Sequence, residues 1–367
     1  MENNIPQITF AIASKNNFRY VKHAVRYIRE NCYRHDHIVH IGIDGEDVEL
    51  ENYYKNDSGI VITKGVSGIA AIYNDIAKKA TTDFILIYHA DMIAGKDVDL
   101  HLYKQWKRGL IISATRIEPP LHPGDPAKIV KNFGMWPEED VADGFKKEEF
   151  NQFVQSNLVN HKVTKGVFAP WLIHKKDYWS VGGHDESFNS HSEDRDLFNR
   201  FLLNGFDFVQ PWNALVYHLT CRGGQFEHAT KTEELLNRSN DWNQLATENT
   251  KKFIKKWGTS PLYDEYQYPL VVPKYDIGFN IINQTDQITN IVTPYCSNIA
   301  FNGNVELSNN IIVEFDASKL TNENIQLIFQ LPSILKDSGE IGDMEWDIFK
   351  IQIKSLKEYQ NDLIKVK

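Results

Sequence analysis

With 367 residues, 42% hydrophobic and 12% aromatic, the chain can bury a large core, which excludes a disordered tail or a mini-protein and favours two domains or one large domain with an appendage. A formal net charge of -9 and the absence of any dense Lys/Arg block argue against a nucleic-acid binder. Cys32, Cys221 and Cys296 are too dispersed for a CxxC zinc site or a disulfide framework, and no signal-peptide pattern or long apolar window occurs, so a soluble, cytoplasmic protein without a transmembrane segment is expected.

"QITFAIAS" (7–14) is a short apolar run of β-formers. From Phe18 the spacing turns helical, with Val21, Val25 and Ile28 on one face until "NCYRHDH" breaks it. "HIVHIGID" (37–44) and "GIVITKG" (59–65) predict two further strands, the first ending on Asp44-Gly45. Ile69, Ile72 or Tyr73, and Ile76 mark an amphipathic helix ending near Thr81, and "DFILIYHAD" (83–91) closes the series as a strand. Nearly continuous apolar strands alternating with helices predict an α/β domain whose mostly parallel sheet is flanked by helices. Polar residues at the ends of such strands face a ligand crevice.

Residues 99–165, with "IISATRIEPPLHPGDPA" and the acidic "WPEEDVADGFKKEEF", predict a mostly irregular insertion with one helix around 146–156. "GVFAPWLIHKKDYWSVGG" returns to strand and turn, "SEDRDLFNRFLLNGF" is a patterned helix ending at Gly205, and "VQPWNALVYHLT" is a strand carrying His218. Beyond Trp257 the composition shifts through a Pro/Tyr-rich connector to short alternating runs over 275–333 and a helical pattern over 340–360. The expected domains are therefore 1–258 and a smaller, β-rich C-terminal module, 259–367.

The chemistry-bearing residues are an Asp at the end of a buried strand, an acidic cluster in a glycine-flanked loop and a distal His. These are hard-cation ligands and acid/base groups. Asp91 suits Mg2+ or Mn2+, and His218 tips the preference towards Mn2+ because imidazole favours the later metal. Taken singly, Ser192 followed by Glu193 and Asp194 is also what an ordinary helix N-terminus looks like. Gly182 and Gly183 also suit a tight turn.

The ordered set "TFAIASKNN", "IGIDGED", "GIAAIYNDIAKKATTDFILIYHADM", "WSVGGHDESFNSHSEDRDLFNRFLLNGF" and "YHLT" resembles the GT-A fold glycosyltransferases, family 2-like, over roughly residues 7–222. The resemblance implies nucleotide-sugar contacts from Ser14, Asp44, Asn74, His89, Gly182 and Gly183, and a metal held by Asp91 and His218. It implies Asp194 as general base, with Glu193 beside it. His89 departs from the family by standing at the first position of its DxD motif, where Asp is usual. The implied activity is metal-dependent sugar transfer, inverting, from a nucleotide-sugar donor, a UDP-sugar by analogy, to a glycan or other hydroxyl acceptor. The implied cofactor is Mn2+ or Mg2+, and no nucleic acid is involved.

Two other readings compete. A nucleotidyltransferase shares a related sheet but usually carries a glycine-rich N-terminal phosphate loop, and "AIASKNNFRY" has no glycine. A catalytically inactive nucleotide- or carbohydrate-binding GT-A protein is the alternative for which His89 would be a symptom. The C-terminal module leaves acceptor binding, docking on a partner and homo-oligomer formation open.

Overall fold

The computed structural model describes residues 5–122, 124–222 and 240–363. They form two compact units, one over 5–245 with 263–269, the other over 246–262 with 270–363. Among the described residues no helix is long and apolar enough to cross a membrane.

The first unit opens with β1 (Ile8–Ser14), α1 (Phe18–Asn31), β2 (Ile38–Ile43), α2 (Val48–Tyr54), β3 (Ile60–Thr63), α3 (Ile69–Lys79) and β4 (Phe84–His89). β1 lies between β2 and β4, β2 pairs with β3, and all four strands run parallel. Their side chains are apolar on both faces because helices cover both. Phe10, Ile12, Ile41, Ile85 and Leu86 are all solvent-inaccessible. α1 buries Val21, Ala24, Val25 and Ile28, the face its spacing predicts.

After β4 come β5 (Met92–Ala94), α4 (Val98–Gln105), β6 (Leu110–Ser113), β7 (Thr115–Glu118), β8 (Ile129–Val130), α5 (Lys147–Asn157), β9 (Val163–Thr164), β10 (Trp171–His174), α6 (Lys175–Ser180), α7 (Glu193–Leu203), β11 (Asp207–Pro211) and β12 (Leu215–His218). The main sheet has eight strands in the order β3-β2-β1-β4-β10-β6-β11-β9, and a second, four-stranded sheet has the order β5-β12-β7-β8. The mostly parallel α/β sheet flanked by helices is thus the fold of this unit. One expectation needs correcting in part: residues 99–165 are irregular over much of their length and carry the expected helix as α5, but they are no mere insertion, because β6 is an interior strand of the main sheet and β7 an interior strand of the second.

The second unit is built on a five-stranded sheet. Strands Asn298–Phe301, Ile277–Ile282 and Ile311–Asp316 run parallel, and Phe349–Ile353 and Gly342–Trp346 add antiparallel. Its own core contains the sheet residues Phe279, Val313 and Phe315 and the helix residues Ile328, Leu331 and Leu335. The helical pattern expected over 340–360 is overturned. The helix is Asn322–Ser338, closed by Gly339 at φ 61°, and 342–353 is a hairpin. The period decides it, since Phe349, Ile351 and Ile353 are buried while Lys350 and Gln352 between them are exposed.

Candidate active site

Because β2, β1 and β4 are adjacent and parallel, their carboxyl ends share one edge of the sheet. Ala13 stands opposite His89 and Ser14 opposite Ile43, which places Ser14, Asp44 and His89 in a row. This edge is where open α/β sheets take ligands. Ser14 is buried and its Oγ has no hydrogen-bond partner among the described residues, so a polar group is poised there without use inside the fold. The Asp44 carboxylate accepts a hydrogen bond from the Ser67 hydroxyl at 2.8 Å and lies 3.7 Å from the Lys15 ammonium.

β4 ends at His89, and the chain turns through Ala90 and Asp91 into β5. β12 pairs antiparallel with β5, setting His218 opposite Met92, and parallel with β7, whose last residue is Glu118. Three neighbouring strands therefore deliver Asp91, His218 and Glu118 to one place. One ligand atom from each of His89, Asp91 and His218 lies within 4.8 Å of the others. His218 Nε2 is 3.4 Å from Asp91 Oδ1, and His218 Nδ1 is 2.7 Å from Glu118 Oε1.

The electrostatics are those of a buried charge cluster. Burial lowers the His89 pKa to about 4, with the His218 charge acting the same way, so its imidazole is neutral, the form that can bind a cation. Burial also works against protonated His218, yet Asp91 and Glu118 outweigh it and raise its pKa to about 9. Burial pushes Asp91 up, but the opposing pull of His218 leaves it below the ordinary carboxylate value. Two imidazoles and one carboxylate are a donor set that fits a divalent transition ion better than Mg2+ or Ca2+, which prefer oxygen.

A second group of candidate residues comes from α3, the 182–186 loop and α7. Asn74 on α3 uses its whole amide on that loop and on Tyr178 of α6. Its Oδ1 accepts from the Tyr178 hydroxyl at 2.6 Å and from the His184 N–H at 2.9 Å, and its Nδ2 donates to the His184 carbonyl at 2.9 Å and to Glu186 at 2.8 Å. Gly182 and Gly183 turn the chain at φ 88° and 70°, and a Cβ on Gly183 would stand 2.5 Å from Asn74 Oδ1. α7 then begins without the side-chain cap its sequence allows: Ser192 has φ 69° and its buried Oγ has no hydrogen-bond partner among the described residues. Glu193 and Asp194 occupy the first turn. Glu193 is half-buried, its Oε2 is unpartnered among the described residues, and burial followed by the Asp194 charge raises its pKa to about 8. The Tyr73 hydroxyl feels Glu193, Asp91 and Asp194 together, and Asp194 also acts on His89, so the acidic pair and the cation ligands share one environment.

Sequence reasoning missed Glu118, Arg116, Lys128 and Arg222, all buried. Their signal was four charged residues within or next to apolar runs, but the first three fell in a segment read as irregular. Arg222 lies with its guanidinium 4.9 Å from the Trp136 ring, and its charge reaches Asp91. A second cluster, Cys32, His37 and Asp99, is internally satisfied: Asp99 accepts from the Tyr33 and Arg34 N–H groups and pairs with His37 Nε2 at 2.9 Å. Its role is to tie the end of α1 to α4. Two cavities, of about 390 and 260 Å3, lie in the second unit and include Lys251, Lys255 and Lys274 in their walls.

No protein-family model and no curated protein matches the chain. Among solved structures it is similar, at 12% identity and a TM-score of 0.44, to GalNAc-T7 with UDP, GalNAc and Mn2+, over 59% of this chain and 44% of that one. It is also similar, at 12% identity and a TM-score of 0.41, to the mannosyltransferase PcManGT from Pyrobaculum calidifontis in complex with GDP-Man and Mn2+, over 59% of this chain and 57% of that one. The match therefore spans about half the length of each.

Proposed function

We propose that the first unit is a metal-dependent glycosyltransferase that moves a sugar from a nucleotide-sugar to a hydroxyl acceptor, with inversion. The observation that carries this reading is the convergence of His89, Asp91 and His218 at the carboxyl end of the sheet, within electrostatic reach of Glu193 and Asp194. His89, Asp91 and His218 would hold Mn2+, and a divalent cation there neutralises the charge of a departing diphosphate as a Lewis acid. The remaining work falls to the chain. Ser14 and Asp44, at the ends of β1 and β2, would hydrogen-bond the nucleoside, and Arg222 adds fixed positive charge beside Asp91.

Inverting transfer needs a carboxylate that accepts the acceptor's proton. Glu193, with its pKa raised to about 8, keeps its proton at neutral pH and so is not available to take another. Asp194 is therefore assigned that task, and its Oδ1 is oriented by the Arg195 N–H at 2.7 Å.

The test is release of nucleoside diphosphate from a panel of nucleotide-sugars with Mn2+. Asp91→Asn should abolish the Mn2+-dependent release. Asp194→Asn should lower turnover by roughly 10²–10⁴-fold while leaving the donor KM nearly unchanged. Donor binding without turnover in the unaltered protein would instead support a nucleotide-binding protein that has lost catalysis.

A further inference from the structure

Glu118 has no part in the transfer just described, yet it is among the most heavily engaged carboxylates in the first unit. It is 2% exposed, and both of its oxygens are occupied. Oε1 accepts from Arg116 Nη1 at 2.8 Å and lies 2.7 Å from His218 Nδ1, while Oε2 accepts from Lys128 Nζ at 2.5 Å. Arg116 is held in turn by Asp125 at 3.1 Å and by the face of Phe168, 3.8 Å from its guanidinium carbon. A core ion pair of this kind adds little net stability compared with apolar packing, so its presence calls for another reason.

The register of the second sheet supplies one. β7 and β12 are parallel neighbours, which brings the end of one, Glu118, beside the end of the other, His218. An imidazole that ligates a cation must be neutral, so it gives up one proton on binding; the nitrogen that donates to a carboxylate keeps its proton, and the lone pair is left on the other. Here Nδ1 faces Glu118 at 2.7 Å, and Nε2 faces Asp91 at 3.4 Å.

We propose that Glu118 is a positioning residue for cation binding: it accepts the Nδ1–H of His218, fixes the ring, and so directs Nε2 to the cation held with Asp91 and His89. The orienting bond is made by Oε1, which Arg116 shares, whereas Lys128 meets only the other oxygen, Oε2. This rests on the reading that His89, Asp91 and His218 form a divalent-cation site.

The experiment is calorimetric titration of Mn2+ alone into the full-length protein, Glu118→Gln and Lys128→Met, at a temperature where melting curves show all three folded. Glu118→Gln should weaken Mn2+ binding by roughly 10–100-fold, the usual cost of losing such an outer carboxylate. Lys128→Met, which removes a core ion pair but leaves the bond to Nδ1, should lower Tm and leave the Mn2+ affinity intact. Folded Glu118→Gln with the affinity of the unaltered protein overturns the proposal, as does an equal loss in Lys128→Met, which would make the effect one of general packing. Should Glu118→Gln not fold, Glu118→Asp keeps the charge but shortens its reach to Nδ1, and unchanged Mn2+ affinity there overturns the proposal equally. If the unaltered protein binds no Mn2+, the cation site itself is refuted; if it binds and only the variants disagree, the role of Glu118 alone is.

Discussion

Glu193 and Asp194 sit side by side at the start of α7, and burial makes it unfavourable for both to carry charge. The Glu193 pKa rises from 4.5 to about 8 in the folded protein. Between those values the folded state keeps a proton that the unfolded chain releases. The stabilisation is complete below the unfolded value and is lost as pH rises through the folded one. Glu193→Gln mimics the protonated form at every pH. Melting curves of the two proteins should therefore converge near pH 4 to 5 and separate with rising pH, until at about pH 8.5 the variant melts roughly 2–4 °C higher. Parallel curves would show that Glu193 carries its charge without penalty, and the assignment of the base to its neighbour would lose its support.

Elements show where the sequence was legible. β1, β2 and β4 are long apolar runs whose polar ends fall on turns, and both features survive in the primary structure, so the placement of Ser14, Asp44, His89 and Asp91 at strand ends could be read without coordinates. β6 and β7 have four residues each, with only Ala114 between them and Pro119 directly after β7, so their period was too short to read and Glu118 was hidden with them. The helix Asn322–Ser338 was obscured by Pro332 within it. The partnership of Asn74 with the 182–186 loop was not readable either, because it joins residues more than a hundred positions apart. That loop yields a prediction. In Gly183→Ala, the new Cβ meets Asn74 Oδ1 in a backbone conformation that disfavours side chains, which should cost roughly 1–3 kcal/mol. A fall in Tm with faster hydrogen exchange in the 178–186 amides is the expected signature, and an unaltered Tm would mean that the loop accommodates the methyl group.

At the scale of the whole molecule, two buried clusters underlie the two units. One is built around Phe10, Leu86, Leu172 and Tyr217, the other around Phe279, Val313, Leu335 and Ile351. Each has its own sheet and helices, and the candidate site draws every residue from the first. We propose that the second unit is an accessory domain whose folding is separable from cation binding. Leu335 is fully buried against its sheet, so Leu335→Ala should remove roughly 2–5 kcal/mol from the unit that contains it. Hydrogen exchange should then accelerate across 277–282 and 311–353 while β1, β2 and β4 keep their protection, because local opening follows cooperative units. Mn2+ affinity should be unchanged in the same sample. If the exchange rates of both units rise together, the chain unfolds as one cooperative body, and the second unit is part of the structural support of the site rather than an accessory to it.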